Sequence, residues 1–231
     1  GVAVNEINPS SFQPVPPFFG EKIPVVSPAE FRNSGFTEAH LRNTLYEGYF
    51  LPSNITHHIA LCLDQGSRLV YAYYDGLDKV GHIHGTGYFY DAEIAFVDFL
   101  IGRIYEMLPR GTALIVTSDH GMVDVGDSII RINDSIMQRT DTISGEARFL
   151  WFHPARGNHD SLLQDLQDLY SNVAWVRSKD QVLDEGWFGR HISNQAKERL
   201  GEIALLARDP IAFVDKENLG PRLVGRHGSL T

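Results

Sequence analysis

The stretch Leu114-Ile115-Val116-Thr117-Ser118-Asp119-His120-Gly121-Met122 predicts how the chain is organised. Its apolar, β-branched beginning predicts a buried parallel strand. Ligands of open α/β sheets bind just beyond the carboxyl ends of such strands, and carboxylate and imidazole both bind zinc and similar divalent metals. Because adjacent strand residues point to opposite faces, one metal can bind Asp119 and His120 only if the chain turns at Gly121. Taken alone, the stretch fits a metal site and a polar turn without a metal equally well.

A second apolar run, Leu69-Val70-Tyr71-Ala72-Tyr73-Tyr74, also predicts a strand. Asp78 and His82 follow in the predicted loop after it, with glycines on both sides of His82. One strand that ends in an Asp/His pair is often accidental, whereas two such strands in one sheet are much less so. The sequence therefore favours a metal site where the two strands end.

The segment between these runs predicts how the sheet is connected. Residues 88–108 have apolar side chains at helical spacing and predict a long amphipathic helix. This helix completes a β-loop-helix-β crossover into the strand at 112–118, which indicates a parallel sheet. Helices are also predicted at 54–66 and 160–170, a polar loop at 140–145, strands at 129–132, 148–152 and 173–176, and a pair of strands at 203–207 and 211–214.

The composition limits the class of protein. The chain has 231 residues, 43% of them hydrophobic and 21% charged, which predicts one globular domain with a sizeable core. Its net charge of −9 argues against a nucleic-acid polymer as a partner. A small anionic substrate remains compatible, because bound metal ions invert the local field. Cys62 is the only cysteine, so no internal disulfide can form, and no apolar run is long enough to span a bilayer.

Three ordered motifs resemble one known family. Together they are similar to the alkaline phosphatase superfamily, and within it to the type I phosphodiesterase / nucleotide pyrophosphatase branch. The motifs are Asp78-x-x-Gly81-His82, then Ser118-Asp119-His120-Gly121-Met122, then Gly225-Arg226-His227-Gly228-Ser229-Leu230-Thr231. Further stretches resemble bacterial members: Ser34-Gly35-Phe36-Thr37, Gly145-Glu146-Ala147-Arg148 and Gly186-Trp187-Phe188-Gly189.

The resemblance implies a fold and a set of metal ligands. The expected fold is α/β, with an alkaline-phosphatase-like, mostly parallel sheet flanked by helices and a small α+β excursion. Asp78, His82 and His227 would bind one divalent ion. Asp119 and His120 would bind a second ion, together with an Asp and a nucleophile oxygen from elsewhere. Zinc is favoured for this ligand set, although manganese or iron could fit.

No catalytic nucleophile is recognisable in the chain. In the resembling family, the nucleophilic Thr or Ser and the first metal-binding Asp precede the region that matches residues 1–27 here. These residues are rich in Pro, Asn and Ser and read as an irregular connector. We therefore expect the chain to be the carboxyl-terminal portion of one catalytic domain, incomplete at its N-terminus, with a possible small cap or subdomain at about residues 140–200.

The function implied by the resemblance is metal-dependent hydrolysis of phosphodiester or pyrophosphate bonds in nucleotide-like small molecules. Phosphonoacetate hydrolases, phosphomonoesterases and sulfatases remain open alternatives, because they share the metal scaffold. A non-catalytic metal-binding domain without the nucleophile is also open. Lys79, His84 and Arg226 lie beside the candidate ligands in sequence; each could support a ligand, but a solvated surface position is favoured for all of them.

Overall fold

The computed structural model describes residues 7–215 and 222–230. Residues 1–6 of the predicted connector and Thr231 of the last motif lie outside the described residues. The helices are α1 (Pro9–Phe12), α2 (Gly35–His40), α3 (Ile55–Asp64), α4 (Gly76–His84), α5 (Tyr88–Met107), α6 (Asp134–Met137), α7 (His159–Tyr170), α8 (Lys179–Asp184) and α9 (Asn194–Lys197). The strands are β1 (Pro24–Pro28), β2 (Leu45–Tyr49), β3 (Tyr71–Ala72), β4 (Val123–Asp124), β5 (Ile129–Arg131), β6 (Thr140–Glu146), β7 (Phe149–Pro154), β8 (Ala174–Ser178), β9 (Ile203–Ala207), β10 (Ala212–Val214) and β11 (Gly225–Arg226).

The described residues form two compact units. The first unit takes residues from 1–77 and 92–116, and the second takes residues from 78–91 and 117–231. The predicted mixed α/β fold with parallel sheets and flanking helices is confirmed. None of the helices in the described part of the chain is both long and apolar enough to cross a membrane.

A parallel sheet in the order β2-β1-β3 organises the first unit. Its central strand β1 is buried along its whole length. Helix α3 presents Ile55, Ile59 and Cys62 to the core of this unit, as their helical spacing predicts. The long helix predicted at 88–108 is confirmed as α5, and its buried residues Leu100 and Ile104 join the same core.

The predicted connector ends earlier than residue 27, because the chain enters β1 at Pro24. Proline lacks a backbone N–H, so it is tolerated at the first residue of a strand. Leu45 instead donates its backbone N–H to the carbonyl oxygen of Ile23 at 2.9 Å. Parallel pairing therefore begins at Pro24, although the surrounding composition suggested irregular structure.

The two apolar runs that predicted strands behave differently from expectation. Only Tyr71–Ala72 of the run 69–74 forms a strand, β3, and both of its residues are exposed. The run 112–118 forms no strand among the described residues, and Ile115 and Val116 are 85% and 60% exposed. Strand-forming composition reports how well a side chain fits a covered, pleated surface and does not supply a hydrogen-bonded partner. The prediction of a buried strand at 112–118 was therefore wrong in this structure.

An antiparallel sheet in the order β6-β7-β9-β8 forms most of the core of the second unit. Every residue of β9 is buried. Helix α7 packs Leu162, Leu166 and Tyr170 into this core, which confirms the helix predicted at 160–170. The strands predicted at 129–132, 148–152 and 173–176 correspond to β5, β7 and β8, each shifted by a residue or two at its ends.

Two local predictions in this unit were wrong. The segment predicted as a polar loop at 140–145 is β6, an edge strand whose polar residues are mostly exposed while its backbone pairs with β7. The strands at 203–207 and 211–214 do not pair with each other, because β10 pairs with β5 in parallel. The buried guanidinium of Arg148 donates from Nη1 to the carbonyl oxygens of Asp209 and Ile211, at 3.0 and 2.8 Å, and so holds the chain that turns between them.

Candidate metal centre

Helix α4 carries two candidate ligands, Asp78 and His82, within the second unit. Side chains four residues apart lie on one face of a helix, and Oδ1 of Asp78 is 3.3 Å from Nε2 of His82. The prediction of a loop here was wrong, because residues Gly76–His84 form a helix. The structure shows a use for Gly81: a Cβ atom there would lie 2.9 Å from Cε of Met122, so glycine permits a close approach between two segments of the site.

The loop at residues 118–122 places His120 opposite this helix face. Nδ1 of His120 lies 3.0 Å from the carbonyl oxygen of Gly121, and the Ser118 hydroxyl donates to the carbonyl oxygen of His120. A carbonyl oxygen only accepts hydrogen bonds, so Nδ1 of the neutral ring carries the proton and Nε2 keeps its lone pair. That Nε2 atom is 3.7 Å from Oδ1 of Asp78.

His227 reaches the same place from the last described segment of the chain. Its ring stacks on the ring of His120, with centroids 3.8 Å apart and an interplanar angle of 18°. The ring centroid of His82 is 5.1 Å from that of His227. Nδ1 of His82 donates to the carbonyl oxygen of Gly225 at 2.9 Å, and Val224 donates its backbone N–H to the carbonyl oxygen of His82 at 2.8 Å. The last motif is therefore tied directly to α4.

Asp124 joins the end of α4 to β11. Its carboxylate accepts hydrogen bonds from the backbone N–H and the hydroxyl of Thr86, at 2.7 and 3.0 Å. In the antiparallel pair of β4 and β11, Asp124 is also the register partner of Gly225. Asp124 thus contacts the end of α4 through its side chain and β11 through its backbone, and both of these segments adjoin candidate ligands.

The ligand atoms of Asp78, His120 and His227 lie within 4.8 Å of one another. Oδ1 of Asp78 is buried and has no hydrogen-bond partner. Burying a polar atom without a partner is costly, and this oxygen faces the Nε2 atoms of His82 and His120. A carboxylate oxygen and neutral imidazole nitrogens are the donors that a divalent ion such as zinc takes, so these residues fit a metal ion.

Asp119 lies at the rim of this cluster. Its side chain is 70% exposed, and its Oδ1 is 3.7 Å from Nε2 of His120. The same oxygen accepts a hydrogen bond from the backbone N–H of His120 at 3.1 Å. The structure thus brings all the predicted ligands into the second unit. The tightest group combines Asp78 and His227 with His120, although the resemblance assigns His120 to a different ion.

The pKa of His227 is lowered from its ordinary value of 6.5. Burial is the largest cause, followed by repulsion from His120 and from His82, while the carboxylates of Asp78 and Glu146 act in the opposite direction. A lowered pKa keeps the imidazole neutral at neutral pH. Its lone pair is then available to a cation.

A cavity of about 380 Å³ opens beside the cluster. It is lined by Asp119, His120, Gly121, Met122, Val123, Arg226, His227, Gly228, Ser229 and Leu230. Arg226 was predicted as a solvated residue, but its side chain is half-buried and its Nε atom is enclosed. Lys79 and His84 are exposed, as predicted. The sequence signal that could have identified Arg226 as a site residue is its position directly before His227.

Comparison with known proteins identifies similar sequences. The model of a family described as type I phosphodiesterase / nucleotide pyrophosphatase matches residues 26–230. GPI ethanolamine phosphate transferase 2 of Kluyveromyces lactis is 29% identical over 116 residues, which is 48% of this chain and 14% of that protein. The corresponding protein of Yarrowia lipolytica is 35% identical over 78 residues, 32% of this chain and 9% of that protein.

Solved structures show the same fold. Murine ectonucleotide pyrophosphatase / phosphodiesterase 5 superposes with a TM-score of 0.69 at 19% identity, over 91% of this chain and 57% of that chain. Phosphonoacetate hydrolase of Sinorhizobium meliloti 1021 superposes with a TM-score of 0.62 at 12% identity, over 92% of this chain and 63% of that chain. The chain therefore spans less than two thirds of each of these relatives.

Proposed function

The chain belongs to the type I phosphodiesterase / nucleotide pyrophosphatase family, and from this premise we propose that it is part of a metal-dependent hydrolase of phosphodiester or pyrophosphate bonds in nucleotide-like substrates. One observation carries the proposal. Ligand atoms from three sequence-distant segments, at Asp78, His120 and His227, converge within 4.8 Å, and the enclosed Asp78 oxygen among them has no hydrogen-bond partner.

The proposed ligand sets use two divalent ions, with zinc favoured. Asp78, His82 and His227 hold one ion, while Asp119 and His120 hold the other with an Asp and a nucleophile oxygen from residues upstream of this chain. Ions in two-metal sites lie about 3.5–4 Å apart, so ligands of both ions must be close neighbours. The 3.7 Å between Oδ1 of Asp78 and Nε2 of His120 supports this arrangement.

Bound divalent ions would neutralise the charge of the phosphate and lower the pKa of a hydroxyl nucleophile. The residues of this chain prepare that chemistry. The hydrogen bonds from Nδ1 of His82 and of His120 to carbonyl oxygens orient both rings and leave both Nε2 atoms unprotonated. Burial keeps His227 neutral. These contacts hold the candidate ligand nitrogens on the side of the site that Asp78 faces.

We place the nucleophile outside this sequence, because no nucleophile motif is recognisable in it. We propose that the hydroxyl of a Thr or Ser upstream loses its proton and attacks phosphorus, and that the ester or anhydride bond breaks as its alcohol or phosphate leaves, so that a covalent phosphoryl- or nucleotidyl-enzyme forms. Water then attacks the same phosphorus, breaks the bond to the Thr or Ser oxygen and regenerates the hydroxyl. The chain of 231 residues is then the carboxyl-terminal portion of the catalytic domain. On its own the chain is expected to have little activity and to retain metal weakly at the half-site of Asp119 and His120. Full activity of this chain would contradict the position assigned to the nucleophile.

Metal content tests the site itself. The wild-type chain is dialysed against zinc, and bound metal is measured by atomic emission. Asp78→Asn and His227→Gln are expected to lower bound zinc, whereas Asp98→Asn, which alters an exposed carboxylate on α5, is a matched control that keeps it. Equal zinc in all variants would remove the basis of the proposal.

A substrate panel separates the alternatives. The metal-loaded protein is assayed, together with its upstream residues, on chromogenic phosphodiester, phosphomonoester and sulfate substrates and on phosphonoacetate. The proposal expects the diester to be preferred. Preference for another substrate would support one of the related hydrolase activities, and metal binding without any turnover would support a non-catalytic domain.

A further inference from the structure

Arg226 is a cation that lies directly before the candidate ligand His227 in the sequence. It lines the same cavity as Asp119, His120 and His227. Its side chain is half-buried, and its Nε atom is enclosed and has no hydrogen-bond partner. A guanidinium with an unpaired, enclosed donor is costly to bury. The position of this cation therefore calls for a role beyond that of a solvated surface residue.

The backbone that carries Arg226 is held firmly. Arg226 is the register partner of Val123 in the pairing of β11 with β4. The preceding residue, Gly225, accepts the hydrogen bond from Nδ1 of His82. A Cβ atom on Gly225 would lie 2.4 Å from the carbonyl oxygen of Gly81, so the two segments are in close contact. The backbone of Arg226 is thus held on the same framework as the candidate metal ligands.

The charge around Arg226 is only partly balanced. Burial lowers the pKa of Arg226, and the attraction of Glu146 acts against that shift. Glu146 is exposed, so solvent screens its attraction for the guanidinium. Arginine remains protonated in proteins nonetheless. An anion in the cavity would add the negative charge that this guanidinium lacks.

We propose that Arg226 binds a non-bridging oxygen of the substrate's phosphate group in the cavity beside the metal cluster. This inference rests on the proposed function and names the residue that holds the anion. A planar guanidinium fits the oxygens of a phosphate, and its hydrogen bonds to them are assisted by charge. The chain has a net charge of −9, so a cation beside the exposed carboxylate of Asp119 would add to the attraction that bound metal ions exert on an anionic substrate.

Inorganic phosphate is the probe for the test. It is titrated calorimetrically into the metal-loaded chain and into the metal-free chain. Arg226→Met removes the charge and the donors but keeps an unbranched side chain of similar length, and Arg226→Lys keeps the charge without the planar donors. Arg222→Met is the matched control, because Arg222 is 80% exposed and pairs with Asp127 at 2.5 Å.

Arg226→Met is expected to weaken phosphate binding about tenfold or more. Arg226→Lys is expected to bind with intermediate affinity, and Arg222→Met to bind as the wild type does. Bound zinc is expected to stay unchanged in all three variants. This last readout matters because a residue that only supported the metal ligands would lower zinc content when it is replaced.

The outcomes distinguish the two proposals. Wild-type phosphate affinity in Arg226→Met, or loss of zinc in both Arg226 variants, overturns the anion-binding role. The anion-binding role is also overturned if the wild-type chain binds no phosphate, whether metal-loaded or metal-free. If the wild-type chain binds no zinc, the proposed function fails instead. In that case the phosphate titration of the metal-free chain tests the role of Arg226 by itself. Equal phosphate affinity of the wild type and the Arg226 variants in this titration overturns the inference.

Discussion

Nδ1 of His82 lies 2.9 Å from the carbonyl oxygen of Gly225, although the two residues are 143 positions apart in the chain. The contact fixes the protonated nitrogen of His82 and turns Nε2 toward Asp78. It also binds the last motif to α4. Hydrogen bonds from metal-ligating histidines to carbonyl oxygens have this orienting effect in metal sites generally. This hydrogen bond therefore connects two segments that are distant in sequence.

Gly225→Ala is predicted to weaken the contact between β11 and α4. The new Cβ would meet the carbonyl oxygen of Gly81 at 2.4 Å, so β11 must shift away from α4. We expect the free energy of unfolding to fall by about 1–3 kcal/mol, as in other overpacked sites, and zinc affinity to fall about 10–100-fold. Urea unfolding and a zinc titration measure the two effects.

Gly102→Ala is the control for the glycine substitution. Gly102 lies inside α5, and a Cβ there meets no atom within 4 Å. Alanine at such a helix position stabilises by about 0.5–1 kcal/mol. Should Gly225→Ala behave like Gly102→Ala, the close contact between β11 and α4 does not exist in solution.

Arg148→Met is predicted to destabilise the second unit. The side chain of Arg148 is fully buried and donates to the carbonyl oxygens of Asp209 and Ile211. Its replacement leaves these acceptors without that donor, at a cost of about 1–3 kcal/mol each. Arg156→Met, at an exposed position, is expected to stay within about 0.5 kcal/mol of wild type. Similar denaturant midpoints for both variants would refute the buried contact.

Two leucines of α7 test the predicted core. Leu166 is fully buried, whereas Leu169 on the same helix is 46% exposed. Leu166→Ala is expected to cost about 2–5 kcal/mol, because it removes buried methyl groups and leaves a cavity. Leu169→Ala should cost well under half as much. Chemical denaturation of both variants is the measurement, and equal losses would mean that α7 is rotated relative to this structure.

Alkaline pH is predicted to destabilise the first unit through Tyr49. Burial is the largest cause that raises the pKa of Tyr49 above its ordinary value of 10.0, and the charge of Asp75 adds to the shift. A raised folded-state pKa means that the stabilising contribution is fully present below pH 10 and is lost as the pH rises above it. Urea unfolding at several pH values from 8 upward should show this decline.

Tyr49→Phe isolates the effect. At pH 8 it should cost about 1 kcal/mol, because the hydroxyl of Tyr49 donates to the carbonyl oxygen of Tyr73 at 3.1 Å. Above pH 10 its stability should fall less steeply than that of the wild type. Tyr105→Phe serves as control, since that ring is 71% exposed. An unchanged slope in Tyr49→Phe would exclude Tyr49 as the cause.

Helices were the elements that could be predicted best from the sequence. The 3.6-residue periodicity of α3, α5 and α7 is a property of each segment alone, so it is visible in the sequence. Strands depend on partners elsewhere in the chain. The apolar run at 112–118 has strand composition without a partner among the described residues, and the polar segment β6 has a partner without strand composition.

The sequence motifs name a set of candidate site residues but not the geometry of the site. The motifs named Asp78, His82, Asp119, His120 and His227, and the structure gathers them. Which atoms come closest depends on contacts such as His82 with Gly225, which no local spacing encodes. Arg226 was undervalued for the same reason, because its burial follows from the pairing of β11 with β4.

The double attachment of Asp124 has a practical consequence for anyone who screens variants of this protein. Its carboxylate secures Thr86 after α4 while its backbone faces Gly225. Replacing it would loosen the ends of two ligand-bearing segments at once. In a screen for zinc binding, such a variant would resemble the loss of a candidate metal ligand, even though Asp124 is not among the residues whose ligand atoms lie within 4.8 Å of one another.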